Sequence, residues 1–211
     1  MKSALLSTLL LISGCLLGLS AQAQYQNAVV PKIITYKPGM YQLADGSWHT
    51  GQLYLEQAGQ LRVRNPNDKV ITEYQPVEVR LFTIEKDTFQ VIRGVQISAR
   101  RRLASAFAKQ LYHYGNFTAF NLVHEATGVG AFMLASSGST PAADLIVQGP
   151  TGDAVVVPGT RRAFEEAMLP LFGDCPEIAE NIKRGKWGRQ HMQKVLLSYA
   201  QWQQTAPKAP Q

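Results

Sequence analysis

The stretch Met40–Arg64, MYQLADGSWHTGQLYLEQAGQLRVR, decides the fold class. Its last four residues, Leu61-Arg62-Val63-Arg64, alternate apolar and polar as a half-buried antiparallel strand does. Asp45-Gly46 is a strong hairpin signal, because a tight two-residue turn needs residues that tolerate a positive φ. The two runs it separates, Met40–Leu43 and Trp48–Glu56, read as paired strands. Gln57-Ala58-Gly59-Gln60 is the next turn, and Asn65-Pro66-Asn67-Asp68 another. Further on, Val70–Tyr74, Val79–Ile84 and Thr88–Arg93 read as three more strands joined by tight links. Short strands with short connections predict an up-and-down antiparallel meander.

The pattern then changes. Leu103, Phe107 and Leu111 recur at a spacing of four, flanked by Ala104 and Ala108, which predicts a central helix over Arg101–Tyr112 with Gly115 as its left-handed cap. Phe117–His124 and Gly130–Ala135 read as strands, Ser136–Ala142 as a loop of small residues. Asp144–Val147 and Asp153–Val157 read as a hairpin around Gln148-Gly149-Pro150-Thr151-Gly152. The last third is helical: Arg161–Phe172, bent or ended early by Pro170; a helix from Asp174 as N-cap, with Pro176 in its first turn and Glu177 completing a capping box; and Gln190–Trp202 with an apolar stripe of Met192, Val195, Leu196, Tyr199 and Trp202. The expected fold class is α+β, an antiparallel sheet packed with one central helix and C-terminal helices. The expected organisation is a leader over 1–23, a lead-in over 24–38, one domain over 39–203 (strand-rich 39–157, helical 160–203) and a disordered tail over 204–211.

The N-terminus has the three parts of an export signal: Lys2, an apolar run over Ala4–Leu19, and the small-x-small pattern Ala21-Gln22-Ala23, with cleavage leaving Gln24 first. Leu11-Ile12-Ser13-Gly14-Cys15 is a competing lipobox, which would make Cys15 an acylated first residue. Leu16, Leu17 and Leu19 continue the apolar run past that cysteine and favour cleavage after Ala23. No second apolar run of membrane-spanning length follows, so no transmembrane span is expected in the mature chain.

Apolar residues make up 45% of the 211 and charged residues 17%, enough apolar surface to exclude a disordered chain. The only cysteines are Cys15 and Cys175, so an internal disulfide is not expected and the core must hold the fold. The net charge of +6 is mild for a nucleic-acid binder, and no nucleic acid is expected. The basic clusters Arg100-Arg101-Arg102 and Lys183–Arg189 read as solvated helix ends. An anionic surface, lipid headgroups or acidic glycans, is the alternative.

Opening at Gly39–Gly51, continuing over Asp68–Phe82 (D-K-V-x-x-Y-x-P-x-x-V-x-x-F) and closing with Phe107–Val123 and Asp174–Tyr199 (D-C-P-E-I…I…L…Y), the chain resembles a group of uncharacterised exported cell-envelope proteins common in Bacteroidota-type bacteria. These motifs are turn and core residues. The resemblance implies an envelope location and this architecture, and it implies no activity. Gln148–Pro158 and Ser136–Ala142 look longer here than the group's pattern.

The reactive residue types do not converge in sequence. His49, His113, His124 and His191 are widely separated, without H-x-x-x-H or C-x-x-C spacing, and no metal or cofactor is expected. Only His49 and His124, both on expected strands, are placed to meet. Ser136-Ser137-Gly138-Ser139 lacks the strand–elbow–helix context of a nucleophile. Cys175 opens a helix, a position that favours a thiolate, but its apolar surroundings favour packing. Glu73, Glu78, Glu125, Asp144 and Asp153 are candidate carboxylates for glycoside chemistry, which spacing alone does not pair. Glu165-Glu166 reads as a solvated helix face, Gly128-Val129-Gly130 is too short for a nucleotide fingerprint, and Asn116-Phe117-Thr118 is an accidental sequon in a bacterial context. Trp48, Tyr54, Tyr74, Tyr112, Tyr114 and Phe117 would form a carbohydrate-stacking strip if they shared an exposed face; strand aromatics belong more often to a core. The sequence reads as a non-enzymatic binding or structural module of the cell envelope, in the periplasm or outside the cell, whose partners are other envelope proteins or an anionic glycan or lipid surface. The alternatives are a periplasmic hydrolase using carboxylates or His49 and His124, and a lipid-anchored surface protein.

Overall fold

The computed structural model describes residues 34–56, 58–67, 70–98, 100–123 and 143–205. The leader residues Cys15, Ala21, Ala23 and Gln24 lie outside them. So do His124, Glu125, the expected strand Gly130–Ala135, the loop Ser136–Ala142 and residues 206–211 of the tail.

Among the described residues ten strands form one antiparallel sheet: β1 (Lys37–Leu43), β2 (Trp48–Glu56), β3 (Gln60–Arg64), β4 (Ile71–Tyr74), β5 (Val79–Ile84), β6 (Asp87–Ser98), β7 (Arg101–Tyr114), β8 (Phe117–Val123), β9 (Ala143–Gln148) and β10 (Ala154–Val156). Three helices follow: α1 (Arg161–Phe172), α2 (Pro176–Lys183) and α3 (Met192–Thr205), the last entered through a single 3-10 turn at Arg189–His191. The molecule is broadly α+β but mostly sheet, with its helices at the C-terminal end.

Spatial order departs from a simple meander at one place. The sheet runs β10-β9-β8-β7-β6-β5-β1-β2-β3-β4, so β5 lies beside β1, four strand spacings from β4. In a flat sheet that is about 19 Å. The link Gln75–Glu78 gives five residue steps from Tyr74 to Val79, a reach of at most about 17 Å. The sheet therefore curls until the end of β4 returns to β1 and β5. Tyr74 lies with its ring centroid 5.5 Å from that of Tyr41 on β1, and the Ala44 amide donates to the Glu78 carbonyl at 2.8 Å. The curl encloses a core of Tyr41, Leu53, Leu61, Val63, Val79, Phe82 and Phe107. At the tip of the β2–β3 hairpin, the Ala58 carbonyl accepts from the Phe107 amide on β7 and fastens the curl across its open side.

The expected central helix over Arg101–Tyr112 is instead β7. Its residues have high helical propensity, but their partners override it. Ala106, Phe107 and Ala108 are all buried, because this strand is covered on both faces. Val91 opposite Phe107 belongs to the first core, whereas Ile92 opposite Ala106 belongs to a second core with Val95, Ala108, Phe120, Leu122 and Ile146. A spacing of four is also two strand periods, so Leu103 and Phe107 fit one side of a strand as well as one face of a helix, and Leu111 falls at the register shift between Gln110 and Tyr112. Gly115 does take a positive φ of 56°, but in the β7–β8 hairpin and not as a helix cap.

The sheet thus bends toward one face over β1–β5 and toward the other over β8–β10, where β10 packs back on β6. The helices cover the outer face of the second bend. Phe164, Met168, Phe172, Ile178, Ile182, Met192, Val195, Leu196 and Tyr199 meet Phe117, Ala119 and Val147 there. Pro170 does not end α1, which runs on to Phe172. Asp174 is not the N-cap of α2. Cys175 holds that place without a side-chain cap bond, Pro176 is the first helical residue, and no Glu177 capping box forms. The Asp174 carboxylate instead accepts from the Tyr199 hydroxyl at 2.8 Å, a bond that joins the start of α2 to α3.

Two substitutions test this account. Phe107→Ala should cost about 3–5 kcal/mol in urea unfolding, because both the curl and β7 rest on that ring. Gly39→Ala should cost about 1–3 kcal/mol, because an added Cβ would collide with the Thr83 backbone carbonyl on β5.

Candidate functional site

The β1–β2 hairpin, built by Asp45-Gly46, carries the densest set of polar groups that the fold brings together. Gly46 takes a φ of 93°, as the turn requires. Asp45 accepts from the Ser47 amide at 2.8 Å and from the Ser47 hydroxyl at 2.6 Å. The Ser47 oxygen lies 2.9 Å from His49 Nε2. On the same face the His49 ring stacks on Tyr41, with centroids 5.3 Å apart and planes at 26°. A cleft of about 430 Å³ opens here, lined by Tyr41, Trp48, His49, Thr50, Val63 and Thr72, with Asn65 at its edge. Trp48, half of whose surface is exposed, stands at the rim.

The polarity of the Asp45–Ser47–His49 chain decides its chemistry. The Ser47 hydrogen bonds, side chain first and then amide, hold the Asp45 carboxyl below the ordinary carboxylate value, so it is ionised and accepts. Ser47 has one hydroxyl proton, and it goes to Asp45. His49 Nε2 must therefore donate to the serine oxygen, which both its Nε2–H tautomer and its imidazolium can do. A general base for a serine nucleophile has to accept that proton. The arrangement braces the turn and leaves donors and aromatic faces toward the cleft.

Tyr41 forms the floor. Burial, and then its hydrogen bond and electrostatic interaction with Tyr74, push its phenol up to about 12 from 10.0. Tyr199 in the helical layer is likewise pushed up to about 12, by burial and then by its bond to Asp174.

The other sequence candidates are scattered. Glu73 contacts Arg62 at 3.0 Å and accepts from Gln60, while Glu56 faces the same guanidinium at 2.8 Å. These are close ion pairs whose angles fall outside hydrogen bonding at Glu56 Oε2 and Arg62 Nε. Glu78 caps the Gln75 amide, and Asp153 accepts from Thr151. Asp144 lies on β9, opposite Leu122 of β8. Glu73, Glu78 and Asp153 thus each have a local structural task, and Glu125 lies outside the described residues, as do the Ser136–Ser139 candidates. His113 bonds Thr118 across the β7–β8 hairpin, and His191 accepts from the Gly188 amide. The proposed meeting of His49 with His124 falls outside the described residues. Cys175 is a free, buried thiol in the helical core. Among the described residues no three His, Cys, Asp or Glu side chains gather to hold a metal, and no helix is long and apolar enough to cross a membrane.

The aromatic strip is divided. Trp48 and Tyr54 share the outer face of β2, Tyr74 faces Tyr41 inside the curl, and Tyr112, Tyr114 and Phe117 pack against the helices. A second cleft of about 560 Å³ lies between α3 and β7–β9, lined by Tyr112, Asn121, Leu145, Arg189 and Gln193. Sequence reading missed Tyr41, Asp45 and Ser47 as a set. The available signal was the i, i+2 spacing of Asp45, Ser47 and His49, which aligns alternate residues along one side of an extended chain.

No family model, curated protein or solved structure matches this chain.

Two titrations check the site. Ser47→Ala should return the Asp45 carboxyl toward its ordinary value of 3.8, followed by carbon NMR. In the intact protein, Tyr41 and Tyr199 should stay protonated in the fold beyond pH 10. Raised folded values mean that their contribution to stability is full below pH 10 and is lost as the pH climbs to about 12. Alkaline unfolding should fall in that window, and Tyr74→Phe should lower the Tyr41 midpoint in an ultraviolet phenolate titration.

Proposed function

We propose that this chain is an exported cell-envelope protein that acts as a non-catalytic binding module. The observation that supports this best is the β1–β4 cleft: it offers an exposed indole, a stacked Tyr41–His49 pair and the Thr50 and Thr72 hydroxyls, beside a serine whose proton is committed to Asp45. Aromatic faces with hydroxyl and imidazole donors suit a polyhydroxylated ligand, so a glycan of the envelope is the ligand class. The apolar leader with Ala21-Gln22-Ala23 supports the export half of the reading. A lipid-anchored form is the second reading, favoured by Leu11-Ile12-Ser13-Gly14-Cys15.

Two measurements test it. Trp48 fluorescence should change on titration with soluble cell-wall glycan fragments, and Trp48→Ala should weaken binding by about tenfold, the size of one lost aromatic contact. Glycan cleavage by the purified chain that Ser47→Ala or His49→Ala abolishes would overturn the non-catalytic reading in favour of a hydrolase. The intact mass of the cell-derived protein should show Gln24 as first residue; an acylated Cys15 would establish the anchored form, and an uncleaved Met1 would sink export.

A further inference from the structure

The β6–β7 hairpin is the longest ribbon in the sheet, and it outruns both neighbours. β6 pairs with β5 only as far as Gln90, and β7 pairs with β8 only from Lys109 onward. From Arg93 opposite Ser105 to Ser98 opposite Arg101, the two strands continue with only each other as ladder partners. The base of this arm is buried, since Ile92 and Val95 lie in the second core. Its turn is fastened by the Gln96 side-chain amide, which donates to the Ser98 and Arg101 carbonyls. Ile97 and Leu103 pack against that core as well, and the tip of the hairpin lies beyond them.

That tip is cationic and unneutralised. Arg93, Arg100 and Arg102 are exposed and Arg101 is half-buried. Between Asp87 and His124 the chain contains no Asp or Glu, so β6, β7 and β8 bring no carboxylate to the arm. Other basic side chains of the sheet are occupied: Lys37 by Glu85, Arg62 by Glu56 and Glu73, Arg64 by the Tyr36 ring, Arg80 by the Ala44 carbonyl, and Lys109 by Asp87. Two of the four basic residues in the second cluster, Arg184 and Arg189, are spent on structure, as are Arg161 and Lys194 outside it. Arg161 donates to the Lys183 carbonyl, Arg184 pairs with Glu180, Arg189 donates to the Ala143 carbonyl, and Lys194 sits over the Trp187 ring. Among the described residues the four arginine side chains of the arm have no ion pair, hydrogen bond or ring contact. Four like charges at one hairpin repel each other, so they cost stability unless an anion meets them.

We propose that this arginine tip docks on an anionic phospholipid surface. A guanidinium fork matches the oxygens of a phosphate, which favours Arg over Lys for this task. The preference for a membrane over nucleic acid rests on the exported reading above. The Arg100-Arg101-Arg102 cluster, expected at a helix end, owes its position to a hairpin.

The test uses the protein in the form cells release and phosphatidylcholine vesicles with and without phosphatidylglycerol. Sedimentation should show binding only with phosphatidylglycerol, weakening as salt rises. Changing Arg93, Arg100, Arg101 and Arg102 to Gln should lower the affinity about fivefold for each arginine removed. A charge-matched control, Lys86, Lys183, Lys186 and Lys194 to Gln, should lose far less. Circular dichroism checks that each variant is folded; if the quadruple variant is not, the exposed pair Arg93→Gln with Arg100→Gln is compared with Lys183→Gln with Lys186→Gln. Equal losses in arm and control variants would reduce the effect to net charge and overturn the proposal. So would absent vesicle binding, or binding to a soluble acidic polysaccharide or RNA in place of vesicles. Vesicle binding does not depend on the leader being used, so its failure leaves export standing, and an uncleaved leader leaves the docking measurement intact.

Discussion

The four-residue return from β4 to β5 is the constraint on which the rest depends. Gln75–Glu78 is too short to cross a flat four-strand gap, so β1–β4 must curl before β5 can be laid down beside β1. The curl places Tyr74 on Tyr41, Phe82 on Phe107 and the Ala58 carbonyl on the Phe107 amide. It therefore makes the first core and the cleft with the same movement. Gly39 belongs to this logic, since β5 passes so close that a side chain there would collide with its backbone.

The first half of the fold was legible because its strands obey a local rule. β2, β5 and α1 have the expected bounds, and the hairpin at Asp45-Gly46 forms as its residues require. In β2 and α1 the period and the burial agree; β5 instead buries Val79 and Phe82, three apart, beside the register shift at Gln42 and Leu43. β7 broke the rule for the opposite reason. A strand buried on both faces loses its alternation, and apolar residues four apart satisfy two strand periods as well as one helical turn. The return of β5 to β1 was illegible for another reason: it depends on how far a link can reach across a folded sheet, which no window of residues encodes. The α2 cap failed because Asp174 had a stronger tertiary claim on it, the Tyr199 hydroxyl.

The site was half legible. Trp48 and His49 stood out by residue type. Their arrangement did not, because it comes from strand pairing that sets His49 opposite Tyr41. The direction of the Ser47 proton was out of reach of spacing altogether. An Asp, a Ser and a His in proximity suggest a nucleophile; the same three with the hydroxyl given to the carboxylate make a brace. The fate of the proton separates the two readings where residue identity does not.

The helical layer has a consequence for the order of events during synthesis. β8 has Phe117 and Ala119 on the face that α1–α3 cover, and Phe120 and Leu122 on the other. A ribosome makes Met192–Trp202 after every strand of this sheet. Until those residues emerge, the outer face of β7–β9 has no lid, and the strands beneath it lack much of the apolar burial that would hold them. The two halves of the sheet thus differ in timing: the first core has all its residues once Phe107 is made, whereas β8 and β9 wait for the helices to cover them.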